Sequence, residues 1–249
     1  MQSRIEPARR RSLDGTAGGT DQNAVQPRPH EQPLIEWFGR SKATGPDGAP
    51  AVLYRGEHGA LAEGEHFQSR LNSISFTADR AAAITYALSP NDSQLDRFVE
   101  APRVALVHLK IENPIIENHN DPFIELSDLA AKLGRREARR IALKFSGDIE
   151  YTGNWEENYA CEYGSVAELL NEKPFELMNL YFNAYKFLDD LVEVDRLKAA
   201  GYDGAIHIGN GETASVLEYR VFDPRQVRPA LSTRSIPPVS GMAATALVT

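Results

Sequence analysis

The feature that most constrains this chain is the irregular spacing of its short β-forming runs. Runs at 51–55, 72–77, 104–111, 205–208 and 216–222 carry apolar, β-branched and aromatic residues bounded by breakers. Gly45-Pro46-Asp47-Gly48 precedes the first, Asn113-Pro114 closes the third and Asp223-Pro224 closes the last. The stretches between them are unequal and contain no internal repeat. A doubly wound parallel sheet needs regular strand–helix alternation, so the pattern predicts a mixed α+β domain instead.

Helix signals fill the gaps. Asp79 caps a helix to about Leu88, stopped by Ser89-Pro90. Residues 127–144 read as helical with a break near Gly134. Ser165-Val166-Ala167-Glu168 is a capping box. Leu177, Tyr181, Tyr185, Leu188 and Val192 recur at helical spacing, which predicts one long amphipathic helix over 175–199 with its aromatics in the core. Residues 123–202 read as a helical lobe that helps choose a partner, or as a plain helical cover.

The ends differ from the middle. Residues 1–32 hold five arginines, four acids and few large aliphatics, and cannot bury enough to offset the entropy of ordering. They read as a disordered segment, either dispensable or a secretion signal. Residues 232–249 read as a second disordered tail, leaving 33–231 as the domain. The whole chain carries a net charge of −8. Without a basic stripe, that balance argues against a nucleic-acid binder. No run reaches the roughly 18 apolar residues of a membrane span, and no apolar stretch after Met1 predicts a signal peptide.

Common chemistries are excluded by motif. No dinucleotide fingerprint, phosphate loop, His-Glu-x-x-His or Gly-x-Ser-x-Gly is present. The single cysteine, Cys161, rules out an internal disulfide and zinc sites built on cysteine pairs. His58 and His66, eight apart, are the nearest approach to a metal pair, and no metal is expected.

Three separated pieces remain. Leu53-Tyr54-Arg55-Gly56 places an arginine at the end of an apolar strand, where an unpaired charge is expensive unless an anion meets it. Ser75-Phe76-Thr77-Ala78-Asp79 leads from a strand into a helix carrying Tyr86. Leu217-Glu218-Tyr219-Arg220-Val221-Phe222-Asp223 is a strand whose apolar pattern Glu218 interrupts. Each has an ordinary structural reading. Arg55 can pair with a neighbouring acid, Ser75 can be a strand hydroxyl, Tyr86 can be core, and Glu218 can face solvent from an edge strand.

Taken in order, these pieces resemble the ADP-ribosyltransferase family, over about Trp37 to Pro229. Trp37-Phe38-Gly39-Arg40-Ser41-Lys42, Asp47-Gly48-Ala49-Pro50 and Leu53-Tyr54-Arg55-Gly56 are similar to the opening of such domains in phage polyvalent proteins, which often carry histidine at the Arg55 position. Ser75-Phe76-Thr77 resembles the second motif of the arginine-serine-glutamate class of bacterial toxins. Phe76 to Tyr86 resembles the stretch in poly(ADP-ribose) polymerases whose tyrosine stacks on nicotinamide, and the Glu218-Tyr219 strand, with Gln226-Val227, resembles the glutamate strand of those polymerases. Gly201-Tyr202-Asp203-Gly204 is usual in the polyvalent group.

The resemblance implies a split mixed β-sheet core with a helical lobe, and NAD as substrate without a metal. Glu218, Arg55 and Ser75 would be catalytic. Arg55, Gly56, Ser75, Phe76, Thr77 and Tyr86 would bind NAD. Loss of nicotinamide leaves an oxocarbenium-like ribose. A carboxylate such as Glu218 stabilises it, Arg55 pairs with the pyrophosphate or grips the adjacent ribose, and Tyr86 stacks on the ring. Val216 stands where arginine-modifying relatives carry Glu or Gln, and Arg55 where chain-elongating ones carry histidine. The implied reaction is therefore transfer of one ADP-ribose unit to a side chain of a target protein, ubiquitin being one such target. The implied setting is a bacterial effector secreted into a target cell. The alternatives are a catalytically inactive NAD- or protein-binding module, an NAD glycohydrolase, or a hydrolase pairing Glu218 with Glu156, Glu157 or Glu162.

Overall fold

The computed structural model describes residues 33–57, 72–88, 102–210 and 213–230. The expected disordered tails and the His58/His66 pair lie outside the described residues. The fold is mixed α+β, as the irregular run spacing predicts. Seven strands form one sheet, β1 (Leu53–Glu57), β2 (Ile74–Thr77), β3 (Arg103–Leu109), β4 (Pro114–Asn118), β7 (Gly204–Ile208), β8 (Leu217–Val221) and β9 (Val227–Pro229), in the order β4-β7-β8-β2-β1-β3-β9. A second, small ribbon pairs β5 (Phe123–Glu125) with β6 (Tyr181–Asn183). Among the described strands, only β4 and β7 pair in parallel; the other neighbours in the sheet are antiparallel.

Pairing strength varies across the sheet. Strand β1 runs beside β3 from Leu53–Val107 to Glu57–Arg103, and β2 runs beside β8 from Ile74–Val221 to Thr77–Glu218. Between β1 and β2 the register holds a single pair, Tyr54 opposite Thr77. Beyond it, at Arg55 and Gly56, the two halves of the sheet part.

Strand alternation sorts side chains into two layers. Leu53, Ile74, Phe76, Ala105, Val107, Tyr219 and Val221 meet in one apolar cluster. The other face receives the helical segment. That segment contains α3 (Leu126–Leu133), α4 (Arg135–Lys144), α5 (Ser146–Glu150), α6 (Gly153–Asn158), α7 (Val166–Glu172), α8 (Ala184–Asp189) and α9 (Leu191–Ala199). Their core includes Leu129, Ile141, Phe145, Phe182 and Phe187 and takes in Ala205 of β7. Glu193 of α9, almost fully buried, binds Arg140 and Lys144 of α4 and ties the two helices together.

Several expected elements hold. The break at Gly134 is real, with φ +88° separating α3 from α4. Ser165 Oγ accepts from the Glu168 amide, although the Glu168 carboxylate reaches the Gly164 amide and not that of Ser165. The single helix over 175–199 is corrected. A 3-10 turn at Pro174–Asn179, β6, α8 and α9 take its place. Asn183 and Asp190 are the reason. Each accepts backbone N–H bonds, from Tyr185 and from Val192 and Glu193 respectively. Such side chains favour caps over helix interiors. Val192, expected on the apolar stripe, is exposed.

Helix α2 (Arg80–Leu88) lies across β1 and β3, with Ala83 and Ala87 against Val104. A Cβ at Gly56 would stand 2.1 Å from the Ala83 carbonyl oxygen and 2.7 Å from the Ala87 nitrogen. Both are backbone atoms, so no side-chain rotation relieves the contact. Gly56→Ala is expected to lift α2 and destabilise the protein by about 3 kcal/mol, the upper end for overpacking. Urea denaturation measures this; a loss below about 1 kcal/mol would show that α2 yields easily.

Candidate functional site

The register fixes which proposed residues can meet. Thr77 pairs with Glu218 and Ser75 with Arg220, so all four side chains share the face toward the helical segment. His207 pairs with Glu218 from the other side and joins them. Tyr54 and Gly56 fall on this face as well, where the Gly56 Cβ direction meets α2.

Arg55 and Phe76 do not. They alternate onto the opposite face, with the Arg55 guanidinium carbon 5.8 Å from the Phe76 ring centre. Arg55 Nε donates to Glu57 at 3.0 Å, and Nη1 donates to the Ser75 carbonyl at 2.8 Å across the gap between β1 and β2. Glu57 also binds Arg103. The expected convergence of Arg55 on Glu218 is therefore not met. Arg55 shows its ordinary strand-end pairing with an acid, and bridges the parted strands. Glu218 shows the reverse, since it is buried on an interior strand and does not face solvent from an edge.

A different guanidinium serves Glu218. Arg220, two residues along the same strand and equally buried, places Nε 3.2 Å from Glu218 Oε1. Its Nη1 binds Asp189 of α8 and lies 3.4 Å from Ser73 Oγ. Burial alone would lower the Arg220 pKa, but Glu218 and Asp189 outweigh it and hold the pKa above the ordinary value. The second carboxylate oxygen, Oε2, accepts from the Tyr185 hydroxyl, and Thr213 Oγ1 lies 3.2 Å from it. Thr213 Oγ1 is also 2.9 Å from the Asn210 carbonyl. Its one proton serves one acceptor at a time. Burial, then the Glu218 charge, pushes the Tyr185 phenol up, so it stays protonated as a donor.

The remaining expected residues have clear local roles. Thr77 Oγ1 accepts from the Asp79 amide at 3.0 Å and Asp79 Oδ1 from the Ala81 amide at 2.8 Å, which starts α2. Tyr86 is 41% exposed on α2, so the core reading does not hold for it. Glu156, Glu157 and Glu162 are exposed, and the hydrogen-bonding partners of Glu218 include none of them. Cys161 is exposed. Among the described residues, no group of three or more His, Cys, Asp or Glu is placed to hold a metal, and no helix is long and apolar enough to cross a membrane.

Sequence reasoning assigned no functional role to Arg220, Thr213 or His207 and placed Tyr185 in the core, whereas it is half-buried beside Glu218. Arg220 had a usable signal, because two charges at i and i+2 on an apolar strand share a face. Tyr185 had none, since its contact with Glu218 spans 33 residues.

His207 is fully buried, and burial pushes its imidazole below the ordinary value of 6.5 despite the opposing pull of Glu218. Nδ1 lies 2.8 Å from the Ile208 carbonyl. The unfolded chain binds a proton at this histidine below about pH 6.5, whereas the folded chain resists it. Stability contributed here is present above that pH and is lost as the pH falls toward the lower folded value. Melting temperature is expected to drop as the pH falls below about 6.5 in wild type, and less steeply in His207→Gln. Equal slopes in the two proteins would assign the loss elsewhere.

Comparison with family models, curated proteins and solved structures finds no match to this chain.

Proposed function

We propose that this protein transfers a single ADP-ribose unit from NAD to a side chain of a target protein, releasing nicotinamide, with Glu218 as the reacting carboxylate. The observation that carries the reading is the construction around Glu218. It is a carboxylate on an interior strand, with both oxygens oriented, beside the place where β1 and β2 stop pairing. A fixed anion in a water-poor setting suits an oxocarbenium-like transition state, because its stabilising field needs no reorganisation as charge develops on C1′.

The other residues fit NAD in part. Ser75 shares the Glu218 face and suits the nicotinamide ribose. Gly56 lies where β1 is unpaired on its β2 side, and Tyr86 offers a flat ring on the helix beside it. Arg55 as arranged does not suit the pyrophosphate, since Glu57 holds it on the other face. The same reading makes the chain a bacterial effector delivered to a target cell, with a protein such as ubiquitin as acceptor and the helical segment helping to choose it.

A second reading has its own observation. Arg220 already neutralises Glu218, and Glu57 already neutralises Arg55. That arrangement suits a module that binds NAD or a protein without cleaving anything. Incubating the full chain with NAD labelled on the adenylate, with ubiquitin and with cell lysate, decides between them. Transfer predicts free nicotinamide and labelled protein in equal amounts. Nicotinamide without labelled protein indicates a glycohydrolase. Tight NAD binding without release indicates the binding module.

A further inference from the structure

A cavity of ≈ 520 Å³ opens beside the carboxylate centre, lined by Asp148, Asn183, Tyr185, Lys186 and Asn210. Tyr185 is the residue common to this wall and to the partners of Glu218. Asn183 caps α8 and so sets where Tyr185 starts. The Tyr185 ring lies over the Arg220 guanidinium, 4.8 Å from centre to Cζ, and meets the His207 ring edge-on at 5.3 Å. Its hydroxyl donates its one proton to Glu218 and accepts from the Asn210 amide at 3.0 Å. Arg220 holds the other carboxylate oxygen. The carboxylate is thus held by Arg220 of its own strand, by Tyr185 of α8 and by the nearby Thr213 hydroxyl, and of these three Tyr185 alone lines the cavity.

We propose that Tyr185 is the positioning residue of Glu218, fixing the carboxylate through its hydroxyl from the wall of this cavity. The proposal rests on Glu218 being the reacting carboxylate. Arg220, Asp189 and His207 face the same centre from β8, α8 and β7, and none lines the cavity.

The test is Tyr185→Phe, which keeps the ring over Arg220 and removes only the hydroxyl. The rate of nicotinamide release at saturating NAD should fall about 10- to 100-fold, the scale of a misaligned reacting group. KM for NAD should stay within about twofold, because the NAD contacts are not altered, while the melting temperature falls by a few degrees, because the hydrogen bonds to Glu218 and from the Asn210 amide are lost. An unchanged rate, or a loss carried by KM, overturns the proposal. A crystal structure of the variant decides it independently of turnover. The Glu218 carboxylate should leave its wild-type orientation, and a carboxylate that stays in place overturns the role. A wild-type chain that releases no nicotinamide defeats the transfer reading alone, and the variant structure still decides the positioning.

Discussion

Replacing Glu218 by glutamine is expected to reduce nicotinamide release by 100-fold or more, equivalent to about 2.7 kcal/mol of transition-state stabilisation. Glutamine keeps the size of the side chain and can still accept from the Tyr185 hydroxyl, so the packing around Oε2 survives. What disappears is the negative charge, and that charge acts where positive charge grows on the ribose. Arg220 retains Asp189 as a counter-ion, but its Nε now faces an amide N–H in place of Oε1, so a loss of stability is expected beside the loss of activity. Glu218→Ala should lose at least as much activity, with a larger loss of stability because it also leaves a cavity. Single-turnover release of nicotinamide, read beside a thermal melt, separates the two effects. Activity of Glu218→Gln within threefold of wild type would remove the carboxylate from the reaction centre.

The largest stability effect is expected at Arg220. Its side chain is 4% exposed, and that of Glu218 is 6% exposed. Removing one partner of a buried pair leaves the other charge without compensation, which costs about 3–5 kcal/mol. Arg220→Met removes the counter-charge while filling most of the volume, so the loss reports charge more than cavity. Asp189, 39% exposed on its side chain, stays in contact with water when Arg220 is removed, so most of the loss falls on Glu218. Arg220→Met combined with Glu218→Gln should recover part of the loss, since the one charge left unpaired, Asp189, is in contact with water. Urea denaturation of the three variants measures this. A loss below about 1 kcal/mol for Arg220→Met would mean that Glu218 is not held by this guanidinium.

Much of the fold was legible along the chain. Runs closed by Asn113-Pro114 and Asp223-Pro224, and the break at Gly134, are local signals, set by backbone chemistry within a few residues. The three-residue strands β5 and β6 carried too little pattern to stand out, and β4 begins at the proline that was read as an end. The false helix over 175–199 shows the limit of periodicity. Apolar spacing of four, four, three and four persisted by coincidence through Asn183 and Asp190, where side-chain caps outweighed it.

By itself the sequence determined the α+β class, the strand that carries Glu218 and the residues able to break or cap each element. Only the tertiary structure decided which groups from different elements meet. Strands place successive side chains on opposite faces, so the register that sets Tyr54 opposite Thr77 and Thr77 opposite Glu218 puts Arg55 on the far side of the sheet from Glu218. The Tyr185 contact comes from a helix 33 residues away, and packing distance across the core is a quantity that no local pattern encodes.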